Sequence, residues 1–142
     1  MKVSVFNFQS KYWVDTRKIK KLLINLLRYY QLDNKEVTLV LVNNRKMKEL
    51  NKKFLKRDST TDVLSFPFNE KTVDGAEYLG DIVISVPQAF NQCFTLKHGL
   101  EREIEILAIH GFLHLIGFDH QNDDNNKMKA EEQKLAEKFI EK

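Results

Sequence analysis

The chain has 142 residues, 42% apolar and 30% charged, which suits a single domain with a real core and argues against wholesale disorder. No signal-peptide pattern opens it, no run approaches the roughly 20 apolar residues that span a bilayer, and the lone Cys93 excludes an internal disulfide or a cysteine-based zinc cluster, so a cytoplasmic protein without a membrane partner is expected. The net charge of +3 hides a division: residues 1–60 carry 15 Lys/Arg against 5 Asp/Glu (+10) and residues 61–142 carry 8 against 15 (−7), a pattern that fits a surface facing a polyanion or two merely solvated faces.

Val3 to Phe8 mixes β-branched and aromatic residues and reads as a strand. Ile19, Leu22, Leu23, Leu26, Leu27 and Tyr30 then recur at helical spacing, with Asp15 or Thr16 as the cap. Glu36 to Val42 is a second strand with so little alternation that both of its faces are expected to be covered. Asn43-Asn44 opens a helix with Met47, Leu50 and Phe54 inside and Lys46, Lys48, Lys52 and Lys53 outside. Thr61 to Phe68 is a third strand, with Pro67 at a sheet edge or strand end. Residues 69–77 form a loop around Asp74-Gly75, and Leu79 to Ser85 is a fourth strand.

Three helices follow: Pro87 towards Phe94, about Leu100 to Ile116, and about Asp124 to Glu141 with Met128, Leu135, Ala136 and Phe139 as its inner stripe. Gly117 stands where a left-handed C-terminal cap is expected. No Lys, Arg, Asp or Glu occurs between Ile106 and Phe118, so the middle helix is expected to be buried. The order βαβαββααα predicts an α+β domain over residues 1–142: a small four-stranded mixed sheet with helices packed on it and a buried central helix carrying the chemistry.

That chemistry centres on His110-Gly111-Phe112-Leu113-His114-Leu115-Ile116-Gly117-Phe118-Asp119-His120. Residues i and i+4 of a helix have Cβ atoms about 5–6 Å apart, so the imidazoles of His110 and His114 can reach one metal ion. Gly117 can end the helix and turn the chain back, which lets His120 supply a third nitrogen. Three neutral nitrogens and no thiolate fit zinc best, although imidazole also suits nickel, copper or iron. A three-ligand zinc site keeps a position for water, whose pKa can fall to about 7, and this suggests hydrolysis. A single histidine on an apolar helix is usually a core residue satisfied by local hydrogen bonds. Three within eleven residues, two of them inside the charge-free run, make that reading weak. The spacing equals that of metzincin proteases, yet Gly111 stands where a zincin needs its general-base Glu, so peptide hydrolysis is disfavoured. Asp119 either orients a ligand or a water or is an exposed turn residue. No catalytic carboxylate is assigned.

The whole pattern resembles the YbeY family of bacterial endoribonucleases. Three blocks carry the likeness: Thr61-Asp62-Val63-Leu64-Ser65-Phe66-Pro67, Leu79-Gly80-Asp81-Ile82, and the His110 to His120 segment with Gly111, Leu113, Leu115, Gly117 and Asp119. The resemblance implies one zinc ion per chain on His110, His114 and His120, and single-strand endoribonuclease activity. It also implies 3′-end maturation of small-subunit rRNA and ribosome quality control, with rRNA and the ribosome or its small subunit as partners. Lys52, Lys53, Lys56 and Arg57 are the candidate RNA-binding residues. One departure stands out, because the family usually carries Arg directly after the aromatic residue at position 54 and this chain has Leu55. A guanidinium fork is not replaced by Leu, and Lys56 offers only a point charge. Two other readings compete: a non-nucleolytic zinc-containing assembly factor, and a metal hydrolase of another substrate. Among the remaining groups, His98 reads as a surface or cap residue, Ser65 and Asp81 as strand-end residues satisfying nearby backbone, and Cys93 as an apolar filler. Phe6, Phe8, Trp13, Tyr29, Tyr30, Phe66 and Phe68 read as core or as base-stacking platforms.

Overall fold

The computed structural model describes residues 2–68, 77–118 and 125–140. Their order is β1 (Lys2–Asn7), α1 (Thr16–Tyr29), β2 (Lys35–Val42), α2 (Asn44–Leu55), β3 (Val63–Pro67), β4 (Glu77–Ser85), α3 (Val86–Cys93), α4 (Leu100–Leu115) and α5 (Asn125–Phe139). The expected α+β arrangement with a four-stranded mixed sheet is what forms. The strand order is β1-β2-β4-β3, with β1, β2 and β4 parallel and β3 antiparallel at one edge. Pro67 ends that edge strand, where its missing N–H costs no ladder bond. Of the expected loop 69–77, residues 69–76 lie outside the described residues, and Glu77 already belongs to β4.

Local chemistry sets the element boundaries. The Asp15 carboxylate accepts from the amides of Arg17 and Lys18 to cap α1, and the Asn43 side chain accepts from the Lys46 amide to cap α2. Ser85 closes β4 and caps α3 by accepting from the Gln88 amide at 3.3 Å, so strand and helix abut without a loop. At the end of α4, Gly117 takes φ +110°, its N–H donates to His114 O at 3.2 Å, and the Phe118 N–H donates to Leu113 O at 2.9 Å. Those two bonds make a Schellman stop, as the position of the glycine predicted.

Strand register sorts the sheet into two unlike faces. Val3, Val37, Leu39, Leu41, Ile82 and Ile84 point to one side and are buried in the main core with Leu23, Leu26 and Leu27 of α1 and Ile104, Ala108 and Phe112 of α4. Burying this much apolar surface is the main favourable term in folding. The opposite side carries Phe6, Thr38, Val40, Asp81, Val83, Leu64 and Phe66 by register. There, among the described residues, α2 lies over part of it, where Met47 packs with Val42, Val83 and Leu64. The expectation that both faces of β2 are covered is therefore corrected. The apolar stripe of α2 is three residues long, and beyond it Phe6, Phe8, Thr38, Val40 and Asp81 help line an open cavity of about 630 Å³. Among the described residues no helix is long and apolar enough to cross a membrane.

Candidate metal centre

Helix α4 comes close to the sheet at Gly111. A Cβ there would stand 2.7 Å from Ile82 Cγ2 and 3.2 Å from Ser65 Oγ, and the Ser65 hydroxyl donates to the Gly111 carbonyl at 3.1 Å. No carboxylate fits at this position, which gives a packing reason for the glycine that separates this chain from the zinc proteases. With position 111 against the sheet, His110 and His114 line a cavity of about 640 Å³ together with Leu55, Val63, Leu64, Ser65, Pro67, Gly117 and Phe118. Ser65 thus serves the backbone of α4, across the interface, and not its own strand end.

The two imidazoles converge. Their Nε2 atoms are 3.1 Å apart and their rings meet edge-on at 77°, with centroids 4.7 Å apart. On its other side, His110 Nδ1 lies 2.5 Å from Glu132 Oε1 of α5. A carboxylate accepts, so Nδ1 carries the hydrogen, and whenever the ring is neutral Nε2 holds the lone pair. Two nitrogens aimed at one point on a cavity wall, one of them backed by a carboxylate, suit zinc or another imidazole-seeking divalent ion. His120 and Asp119 lie outside the described residues. Among those described, no group of three His, Cys, Asp or Glu side chains gathers around a common point. The chain nevertheless leaves the Schellman stop at the cavity rim, since both Gly117 and Phe118 line it. Glu132 was invisible to sequence reasoning. It follows Glu131 in a polar stretch and meets His110 only because α5 packs on α4.

The basic candidates sit beside this cavity. Lys52 and Lys53 occupy the last turn of α2, Lys56 is its left-handed cap at φ 57°, and Arg57 follows; all four are exposed. From this segment Leu55, 48% exposed, lines the cavity itself. The departure from the family pattern therefore falls on the cavity wall.

The remaining groups separate cleanly. Asp81 lies on the far face of the sheet, where the Tyr78 hydroxyl donates to it and also contacts Thr38 Oγ1 at 2.6 Å. Burial first, and then the Asp81 carboxylate, push the Tyr78 hydroxyl up to about 12. Cys93 is buried with its thiol against Phe90 O, as a filler should be. His98 corrects the surface reading, because its side chain is only 18% exposed and its Nε2 lies 2.5 Å from the carboxylate of Glu103, itself buried. Tyr30 packs on Phe112 and donates to Glu131 of α5; burial and that carboxylate push its hydroxyl far above the usual tyrosine range. Phe6, Phe8, Phe68 and Trp13 are exposed and so are not core residues.

Known proteins resemble this chain in both sequence and fold. The family model described as Endoribonuclease YbeY matches residues 4–140. The chain is 38% identical to Endoribonuclease YbeY of Caldicellulosiruptor saccharolyticus, with 96% of both chains covered. It is 45% identical to Endoribonuclease YbeY of Campylobacter jejuni over 76% of this chain and 78% of that one. Its fold is similar to the solution structure of TM1509 from Thermotoga maritima, at a TM-score of 0.67 and 26% identity, over 96% of this chain and 88% of the other.

Proposed function

The chain belongs to the YbeY endoribonuclease family, and on that premise we propose that it is a zinc-dependent endoribonuclease that cuts single-stranded ribosomal RNA. The observation that carries this reading is the convergence of His110 and His114 on one cavity beside a basic segment. His110, His114 and His120 would hold the ion. When bound, zinc supplies Lewis-acid polarisation of a phosphoryl oxygen. Lys52, Lys53, Lys56 and Arg57 hold the RNA backbone by charge, without reading its sequence. The cavity presents the phosphodiester to the histidine wall, with Leu55, Val63 and Phe118 as its apolar flank. Its place is the cytoplasm, on rRNA of the small subunit, in 3′-end maturation and ribosome quality control.

The test compares wild type with His114→Ala on a single-stranded rRNA fragment, with product ends mapped. The expected result is cleavage by wild type and a loss of about 100-fold or more in the variant, at least the upper range seen when outer-shell partners of a metal are removed. His114 lies on the cavity wall, so melting should barely move. A 2′,3′-cyclic phosphate end marks attack by the 2′-OH, and a 5′-phosphate marks attack by water. Leu55 on the cavity wall favours a second reading, a zinc-containing assembly factor that docks on the ribosome without cutting. Absence of cleavage by wild type would end the first reading, and zinc-dependent binding to the ribosome without cutting would then establish the second.

A further inference from the structure

We propose that Glu132 is a positioning residue that fixes the tautomer and direction of His110 and so presents Nε2 to the metal; this rests on the metal-centre reading given above. The geometry begins on α5. Glu131 and Glu132 are adjacent, so their side chains leave the helix about 100° apart and meet different neighbours. Glu131 faces α1, accepting from the Tyr30 hydroxyl, and pairs with Lys134 at 3.0 Å. Glu132 faces α4, with Oε1 2.5 Å from His110 Nδ1.

Docking of α5 has other sources. Met128, Leu135 and Ile140 are buried in the main core, and Phe139 meets Tyr29 edge-on at 5.7 Å. Glu132 is therefore not needed to seat the helix. What it does change is the imidazole. A neutral ring has one N–H, and a carboxylate on Nδ1 keeps that hydrogen there. Nε2, the atom facing His114, is then the acceptor. Without Glu132 the hydrogen is no longer held on Nδ1 and can move to Nε2, which removes that lone pair from the site. The side chains of His110 and Glu132 are 27% and 23% exposed, so the pair is sheltered from competing water without being sealed off.

The test has two arms and three variants. In the first arm, long-range ¹⁵N spectra of the metal-free protein at neutral pH report which nitrogen of His110 carries hydrogen. Wild type should show the Nδ1–H form, and Glu132→Ala should lose it. In the second arm, zinc affinity is measured by competition with a chromophoric chelator. Glu132→Ala should bind zinc about 10–100-fold more weakly. Glu132→Gln keeps an acceptor oxygen but loses the charge, and should fall between that variant and wild type. Tyr30→Phe removes the neighbouring α5 anchor and leaves Glu132 in place. It should lower melting temperature while zinc affinity stays within about twofold of wild type.

Equal loss of zinc affinity in Tyr30→Phe and Glu132→Ala would overturn the proposal, because it would mean that both act through helix docking. So would an Nε2–H tautomer in wild type, or unchanged zinc affinity in Glu132→Ala. Should wild type bind no zinc at all, the metal reading fails separately, and the tautomer spectra alone decide whether Glu132 holds His110.

Discussion

Two His–Glu pairs stand at opposite ends of the same helix, and they do different work. At the start of α4, His98 Nε2 lies 2.5 Å from Glu103. Towards its end, His110 Nδ1 lies 2.5 Å from Glu132. The first pair is enclosed. Glu103 is 2% exposed, its second oxygen accepts from Gln92 at 2.5 Å, and Gln92 also donates to Asp62 at 3.1 Å. That network clasps α3, α4 and the approach to β3. The second pair opens on a cavity, and its carboxylate takes the nitrogen that faces away from it. The contact chemistry is the same in both. The nitrogen engaged, and where the other one points, separate a structural clasp from a candidate ligand.

The comparison can be broken most forcefully at Glu103. Glu103→Ala leaves Gln92 and His98 without their shared acceptor in a buried setting, which should cost about 2–4 kcal/mol. At about 3 °C per kcal/mol for a chain of this size, the melting temperature should fall by roughly 6–12 °C. Zinc affinity should hold within about twofold, and a parallel loss of zinc would erase the distinction between the pairs. Gly111→Ala acts on the shared helix. The added Cβ pushes on Ile82 and Ser65, so stability should drop by about 1–3 kcal/mol. Because α4 must lift from the sheet, RNA cleavage should fall as well. Unchanged melting and activity would show that the close approach is not what positions the histidines.

The smallest effect belongs to the cavity's other wall. Leu55→Arg should leave melting and zinc affinity alone while tightening single-stranded RNA binding a few-fold. The slope of log affinity against log salt should steepen by about 0.7, the value for one added phosphate contact on a single strand. An unchanged slope would place the side chain off the RNA path.

Much of this was legible in the sequence, for identifiable reasons. The i, i+4 histidines and Gly117 follow from helix geometry and from the demands of a left-handed stop, both local. Strand and helix order followed from periodicity and caps, as Asp15, Asn43 and Gly117 show. What stayed hidden depends on tertiary packing. Glu132 reaches His110 across 22 positions, only because α5 lies on α4. His98 read as a surface or cap residue; its burial comes from the turn joining α3 to α4, and a solvated loop has the same composition. The apolar run of β2 suggested cover on both faces, but whether α2 is long enough to supply it is a question of geometry. Leu55 stood out only against the family pattern, and its place on the cavity wall depends on how the end of α2 lies against β3 and α4.

On the proposed reading, RNA cleavage requires a metal ion at His110 and His114. Stripping the purified protein with a chelator, assaying single-stranded rRNA cleavage, and then restoring zinc tests it most directly. Cleavage should disappear on stripping, return at about one zinc per chain, and not return in His114→Ala. Full cleavage by the stripped protein would contradict it.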